Sequence, residues 1–128
     1  MERIFHTRTF ARWMKKAGLS DAALHQAVIE MTQGLIDGNL GGGVMKKRVA
    51  LPGRGKRSGA RTLVATRLKE RGFFLYGFAK NERSTIDKDE LRVFQEMTQE
   101  LLSFGDQQIG KALSSKEIFE VIYGSNKP

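Results

Sequence analysis

The sequence contains no cysteine. That excludes a disulfide framework, a thiolate nucleophile and any cysteine-ligated zinc site, and it suits a reducing compartment. Histidine is almost as scarce: only His6 and His25 are present, too few for a histidine-rich metal centre. His6 near a strand end and His25 on an exposed helix position read as incidental. The HExxH, GxSxG and P-loop spacings are missing as well, so no metal and no cofactor are expected. No apolar run approaches the roughly eighteen residues of a membrane span. The N-terminal MERIFHTRTF lacks the hydrophobic core of a signal peptide, and a cytoplasmic protein with no membrane partner is expected.

What is present fits one ordinary folded domain over residues 1–128, with 40% hydrophobic and 28% charged residues. The net charge is +8, and it is concentrated. Val44 to Arg61 (VMKKRVALPGRGKRSGAR) carries Lys46, Lys47, Arg48, Arg54, Lys56, Arg57 and Arg61 and no acidic residue. A cationic block of this kind predicts a polyanionic partner: RNA, DNA or an acidic protein. Solubility alone would be served as well by scattered charge.

Periodicity gives the organisation. Arg3 to His6 reads as an edge strand. Thr7 or Thr9 caps a short helix carrying Phe10, Trp13 and Met14 and ending near Gly18, and Ser20 opens a second helix with the stripe Leu24, Ala27, Val28, Met31 and Leu35, closed by Gly38. Gly41 to Gly43 form a flexible lead into a strand. In Val44 to Leu51, strict alternation puts Lys46 and Arg48 on one face with Val44 and Ala50, and Lys47 on the other with Met45, Val49 and Leu51. Lys47 on that apolar face implies incomplete cover near a strand end. Pro52 to Ala60 is a mobile hairpin loop, and Arg61 to Lys69 and Gly72 to Lys80 are two further antiparallel strands. The second of these, GFFLYGFAK, is apolar on both faces and reads as central, with Phe73, Phe74, Tyr76 and Phe78 in the core. Asp87 with Glu90 has capping-box spacing for a long helix buried through Leu91, Phe94, Met97, Leu101 and Leu102. Residues 105–128 form an extension beyond a core of about residues 3–104, with a weak helix around Ile109 to Leu113 and an apolar IFEVIY run that adds a strand or docks on a partner. The fold class is α+β: strand, helical hairpin, antiparallel sheet of three to four strands, helix.

With thiol, zinc and P-loop chemistry set aside, cationic side chains on a sheet face suit binding or cleavage of a phosphodiester. RNA carries its own nucleophile, the 2′-hydroxyl. An enzyme then needs only to orient it, move two protons and stabilise charge on the phosphate, the last of which arginine's fork does well.

The run LGGGVMKKRVALPGRGKRSGARTLVA followed by FFLYGFAKNERSTID resembles the RelE/ParE superfamily of toxins from type II toxin-antitoxin pairs, and within it the HigB-like branch, with its KxRVA strand, GKGKR-type loop and KNE-like turn. The resemblance spans roughly Phe5 to Leu102. It implies a RelE-like fold, a cognate antitoxin held in a hetero-oligomer, and most often a ribosome-dependent endonuclease acting on mRNA. Carried over by position, it implies catalytic roles for Lys46, Arg48 and Arg61, with Lys80, Glu82 or Arg83 as the substitutes for family residues missing here. Lys80 and Glu82 are counted with the catalytic set, and Lys47, Arg54, Lys56, Arg57, Arg67, Asn81 and Arg83 with the nucleic-acid contacts. Two positions depart from the family: Asn81 stands where a further arginine is usual and Asp87 where a catalytic tyrosine is usual. A ParE-like gyrase inhibitor and a non-catalytic nucleic-acid-binding module remain the alternatives.

Overall fold

The computed structural model describes residues 1–53, 59–83 and 85–122. The chain opens with strand β1 (Arg3–Thr7), whose last residue is also the N-cap of helix α1 (Arg8–Ala17): the Thr7 hydroxyl accepts from the Phe10 N–H at 3.1 Å. Gly18, at φ +74°, ends α1 in the left-handed conformation. Ser20 then caps helix α2 (Asp21–Thr32), and Phe10 and Met14 of α1 share a core with Leu24, Ala27, Val28 and Met31 of α2. The second helix stops at Thr32 rather than near Gly38, and Leu35, expected on its buried stripe, is 55% exposed. Released from the helix, the Leu35 carbonyl accepts a hydrogen bond from Lys47 Nζ.

Strands β2 (Gly38–Gly41), β3 (Val44–Val49), β4 (Ala60–Thr66), β5 (Arg71–Ala79) and β6 (Ile118–Glu120) complete a single sheet in the order β2-β3-β4-β5-β1-β6. Neighbours are antiparallel except β1 and β5, which run parallel. The expected α+β plan holds, with six strands in place of three or four. One addition comes from the glycine triplet. Gly41, Gly42 and Gly43 have φ of +87°, +61° and +86°, a run that only glycine adopts without strain, and they turn β2 into β3 as a hairpin. The other addition, β6, comes from the C-terminal apolar run and pairs with β1 at the sheet edge.

The two sheet faces have separate cores. Ile4, Val49, Val64 and Phe74 face α1 and α2, while Phe5, Ala65, Phe73 and Leu75 face helices α3 (Lys88–Leu102) and α4 (Asp106–Ser114). The capping box opens α3 as its spacing predicts, with Asp87 accepting from the Glu90 N–H and Glu90 from the Asp87 N–H. Residues after 104, expected as an extension, bury Ile109, Ala112 and Ile118 in the second core.

A bulge in β5 sets which side chains reach this second face. Leu63 pairs with Tyr76 but Val64 pairs with Phe74, leaving Leu75 as an extra residue. The alternation therefore slips by one, and Leu75, Tyr76 and Phe78 all turn to the α3 side. Gly77 turns to the α1 side, where the Trp13 ring lies against it so closely that a Cβ would sit 2.3 Å from the ring.

Candidate nucleic-acid interface

Cross-strand register builds the site. Lys46 lies opposite Leu63, which lies opposite Tyr76; Arg48 lies opposite Arg61, which lies opposite Phe78. Residues level with one another across strands share a face. Lys46, Arg48, Arg61, Tyr76 and Phe78 therefore all look out on the α3 side. That helix covers the end of the face near Gly43, where Thr98 and Leu102 pack, and leaves the Arg48 end open: its side chain is 44% exposed.

The charges on this face are poorly balanced. Arg48 and Arg61 stand directly opposite, an unfavourable arrangement for like charges unless an anion lies between or beside them. Asp37 supplies one: its Oδ1 accepts from Arg48 Nε at 2.8 Å and its Oδ2 from the Arg48 backbone N–H at 2.7 Å. Burial alone would raise the Asp37 carboxyl, but these Arg48 hydrogen bonds outweigh it and hold the group below the usual carboxylate range. Among the described residues Lys46 and Arg61 form no ion pair, and Arg61 reaches only the Gly59 carbonyl, at 3.4 Å. Three cations less one carboxylate leave a local charge of +2.

A second cluster borders the first. The Arg83 guanidinium lies 5.7 Å from the Phe78 ring centre, within cation–π range, and donates to Glu90, to the Thr85 carbonyl at 2.8 Å and to the Tyr76 hydroxyl at 3.4 Å. The Arg83 hydrogen bond, with help from the Asp87 N–H, lowers the Glu90 carboxyl to about 2. Arg83 is thus a latch between the turn after β5 and the start of α3, with most of its N–H groups engaged. Because Tyr76 Oη accepts from Arg83, its own proton is free to be donated.

Other expected residues fall elsewhere. The expectation that Lys47 contacts nucleic acid is corrected: its side chain is 3% exposed on the α2 side of the sheet, with Nζ 2.9 Å from Glu30 Oε1 and 2.9 Å from the Leu35 carbonyl. The α2 face is fully covered there, and an acid on the helix meets the base on the strand. Arg67 follows the end of β4 and lines a groove with Lys69, Glu70, Arg71 and Leu102, about 20 Å along the strand from Arg61. Lys80, Asn81 and Glu82 are exposed in the turn after β5. There Glu82 accepts from the Ala79 N–H at 2.9 Å, and Asn81 and Glu82 line a groove with Trp13, Lys16, Leu51 and Pro52 on the α1 side. Arg54, Lys56 and Arg57, in the expected mobile loop, lie outside the described residues. His6 belongs to the core, 7% exposed, with its ring stacked 5.5 Å from Phe119. Burial lowers its pKa, a shift that the Thr7 carbonyl opposes. Among the described residues no group of three His, Asp or Glu side chains converges as a metal site, and no helix is long and apolar enough to cross a membrane.

Sequence reasoning missed Asp37, Tyr76 and Glu90 as members of this face. Only Glu90 left a signal, its capping-box spacing, and that signal pointed to helix initiation alone.

A six-stranded sheet with a helical pair on one face and an open cationic row beside two further helices on the other defines a small α+β protein. Residues 2–121 match the model of the family described as "RelE toxin of RelE / RelB toxin-antitoxin system", and the chain belongs to that family of toxins. No curated relative matches it. Membership makes the protein a toxin of a toxin-antitoxin system and implies an antitoxin as its partner.

Proposed function

We propose that the protein is a metal-independent endoribonuclease that cuts mRNA on the ribosome, so stopping translation, and that its antitoxin restrains it in a hetero-oligomer. The observation that carries this reading is the Arg48–Arg61 pair on an open sheet face, with Lys46 in the next same-face position of β3. In the reaction the 2′-oxygen attacks phosphorus and the bond to the 5′-oxygen breaks, giving a 2′,3′-cyclic phosphate and a 5′-hydroxyl. Arg48 and Arg61 bind the non-bridging oxygens and offset the charge that develops there. The Lys46 ammonium protonates the leaving 5′-oxygen. The Tyr76 hydroxyl donates to the same phosphate from the Phe78 side.

The face offers acids and positive charge but no good base at neutral pH, since lysine and arginine are protonated there. The 2′-proton therefore passes to the surroundings that the ribosome supplies, which is why the reading includes the ribosome. Arg54, Lys56 and Arg57 contribute contacts to ribosomal RNA backbone. The turn after β5 borders this face through Glu82, which lies with Arg83 beside Tyr76 and Phe78, and Lys80, Asn81 and Glu82 contribute further contacts from that turn. The KKRVA strand and KNE turn favour the HigB-like branch.

The test is purified protein with mRNA-programmed ribosomes and, separately, with the same RNA alone, each with and without a chelator. Cuts on the ribosome, few on free RNA and none lost to the chelator are expected. Growth arrest with DNA-damage signalling and intact mRNA would instead identify a gyrase inhibitor, and no toxicity would identify a binding module.

A further inference from the structure

We infer that Asp37 is a positioning residue for this face: it fixes the Arg48 guanidinium with its terminal nitrogens toward the substrate, and it does so while weakening the face's attraction for RNA. The inference rests on the reading of the face as an RNA-cleaving site. Asp37 lies between α2 and β2, where its own N–H donates to the Lys46 carbonyl at 2.9 Å, so its backbone is tied to β3. Both carboxylate oxygens then go to one residue, Oδ2 to the Arg48 backbone N–H and Oδ1 to Nε. Two contacts, one on the main chain and one near the side chain's end, close a ring that leaves the arginine little rotamer freedom. Arg48 Nη1 and Nη2 take no partner among the described residues, so the end of the fork is left for two phosphate oxygens.

The alternative arrangement shows what Asp37 does. Without it, Arg48 faces Arg61 directly across the strand pair, and repulsion together with side-chain entropy would swing it away. A carboxylate beside a phosphate site lowers affinity for a polyanion. Its presence makes sense where orientation counts for more than charge.

Asp37→Asn keeps the shape and removes the charge, and the account expects affinity and rate to move in opposite senses. Binding of a short single-stranded RNA should tighten by about two- to threefold, with a log–log salt dependence steeper by up to about 0.7. Turnover on programmed ribosomes should fall by about tenfold as KM also falls. The Arg48 Nε–H resonance should exchange slowly in the wild type and become averaged in the variant. Asp37→Glu restores the charge but displaces it by a methylene, so it should return binding to the wild-type level and leave turnover low. Unchanged or faster turnover in Asp37→Asn would overturn the inference and make Asp37 a mere charge damper. Weaker binding, slower turnover and a lowered melting temperature together would also overturn it, in favour of a simple structural role. If the wild type cuts nothing on ribosomes the proposed function fails, and the Arg48 Nε–H signal still decides whether Asp37 holds Arg48.

Discussion

The buried Lys47–Glu30 pair gives the sharpest stability prediction. Replacing Glu30 with leucine leaves the Lys47 ammonium inside, 3% exposed, with the Leu35 carbonyl as its remaining contact. Breaking a buried pair from one side typically costs about 3–5 kcal/mol. That is a large part of the roughly 5–15 kcal/mol that stabilises a typical domain. For a chain of this length the melting temperature should fall by about 10–20 °C. Replacing both partners, Glu30→Leu with Lys47→Met, removes the stranded charge and should recover stability to within about 1 kcal/mol of the wild type. Urea unfolding of the wild type, both single variants and the double variant gives the coupling energy directly. Trp13, the only tryptophan and packed on Gly77, reports on the same core. A Lys47→Met variant that unfolds like the wild type yet binds RNA more weakly would refute this reasoning and return Lys47 to the nucleic-acid surface.

Three further effects follow from single contacts. The Thr98 hydroxyl is buried with no hydrogen-bond partner among the described residues, so Thr98→Val should raise unfolding stability by about 1 kcal/mol, and a loss of that size would show that the hydroxyl is satisfied in solution. Gly77→Ala drives a methyl into the Trp13 ring and should cost about 1–3 kcal/mol with a shift in Trp13 emission; unchanged emission and stability would mean the ring does not rest there. His6 is held neutral by burial, its folded pKa below the unfolded value of about 6.5. Its contribution is therefore full above that pH and is lost as pH falls through the folded value, and a His6→Leu variant should show a flatter stability profile below about pH 6.5 than the wild type.

Much of the fold was legible because local signals agreed with it. Thr7, Gly18, Ser20 and the Asp87–Glu90 box all mark real helix ends. Alternation in β3 put Lys46 and Arg48 on one face and Lys47 on the other, as found. The fate of Lys47 was not legible from β3 alone, because its partner comes from α2. The available signal was Glu30, an acid beside Met31 on an otherwise apolar helical stripe, waiting for an inward-facing base. Tyr76 was hidden by the bulge at Leu75: in GFFLYGFAK both faces are apolar, so nothing marks where the alternation slips. Asp37 was hidden for another reason. Its contact with Arg48 depends on the β2–β3 hairpin, and the glycine triplet that makes that hairpin reads equally well as a loose lead-in.

In the proposed reaction the open-face cations of β3 and β4 do the chemistry. Cleavage rates on mRNA-programmed ribosomes for Arg61→Ala beside Arg67→Ala, which lies past the far end of β4, separate that face from basic charge elsewhere, with both variants shown to fold. A fall of about 10²-fold or more is expected for Arg61→Ala and a near wild-type rate for Arg67→Ala. A wild-type rate in Arg61→Ala, or a loss confined to Arg67→Ala, would place the chemistry elsewhere.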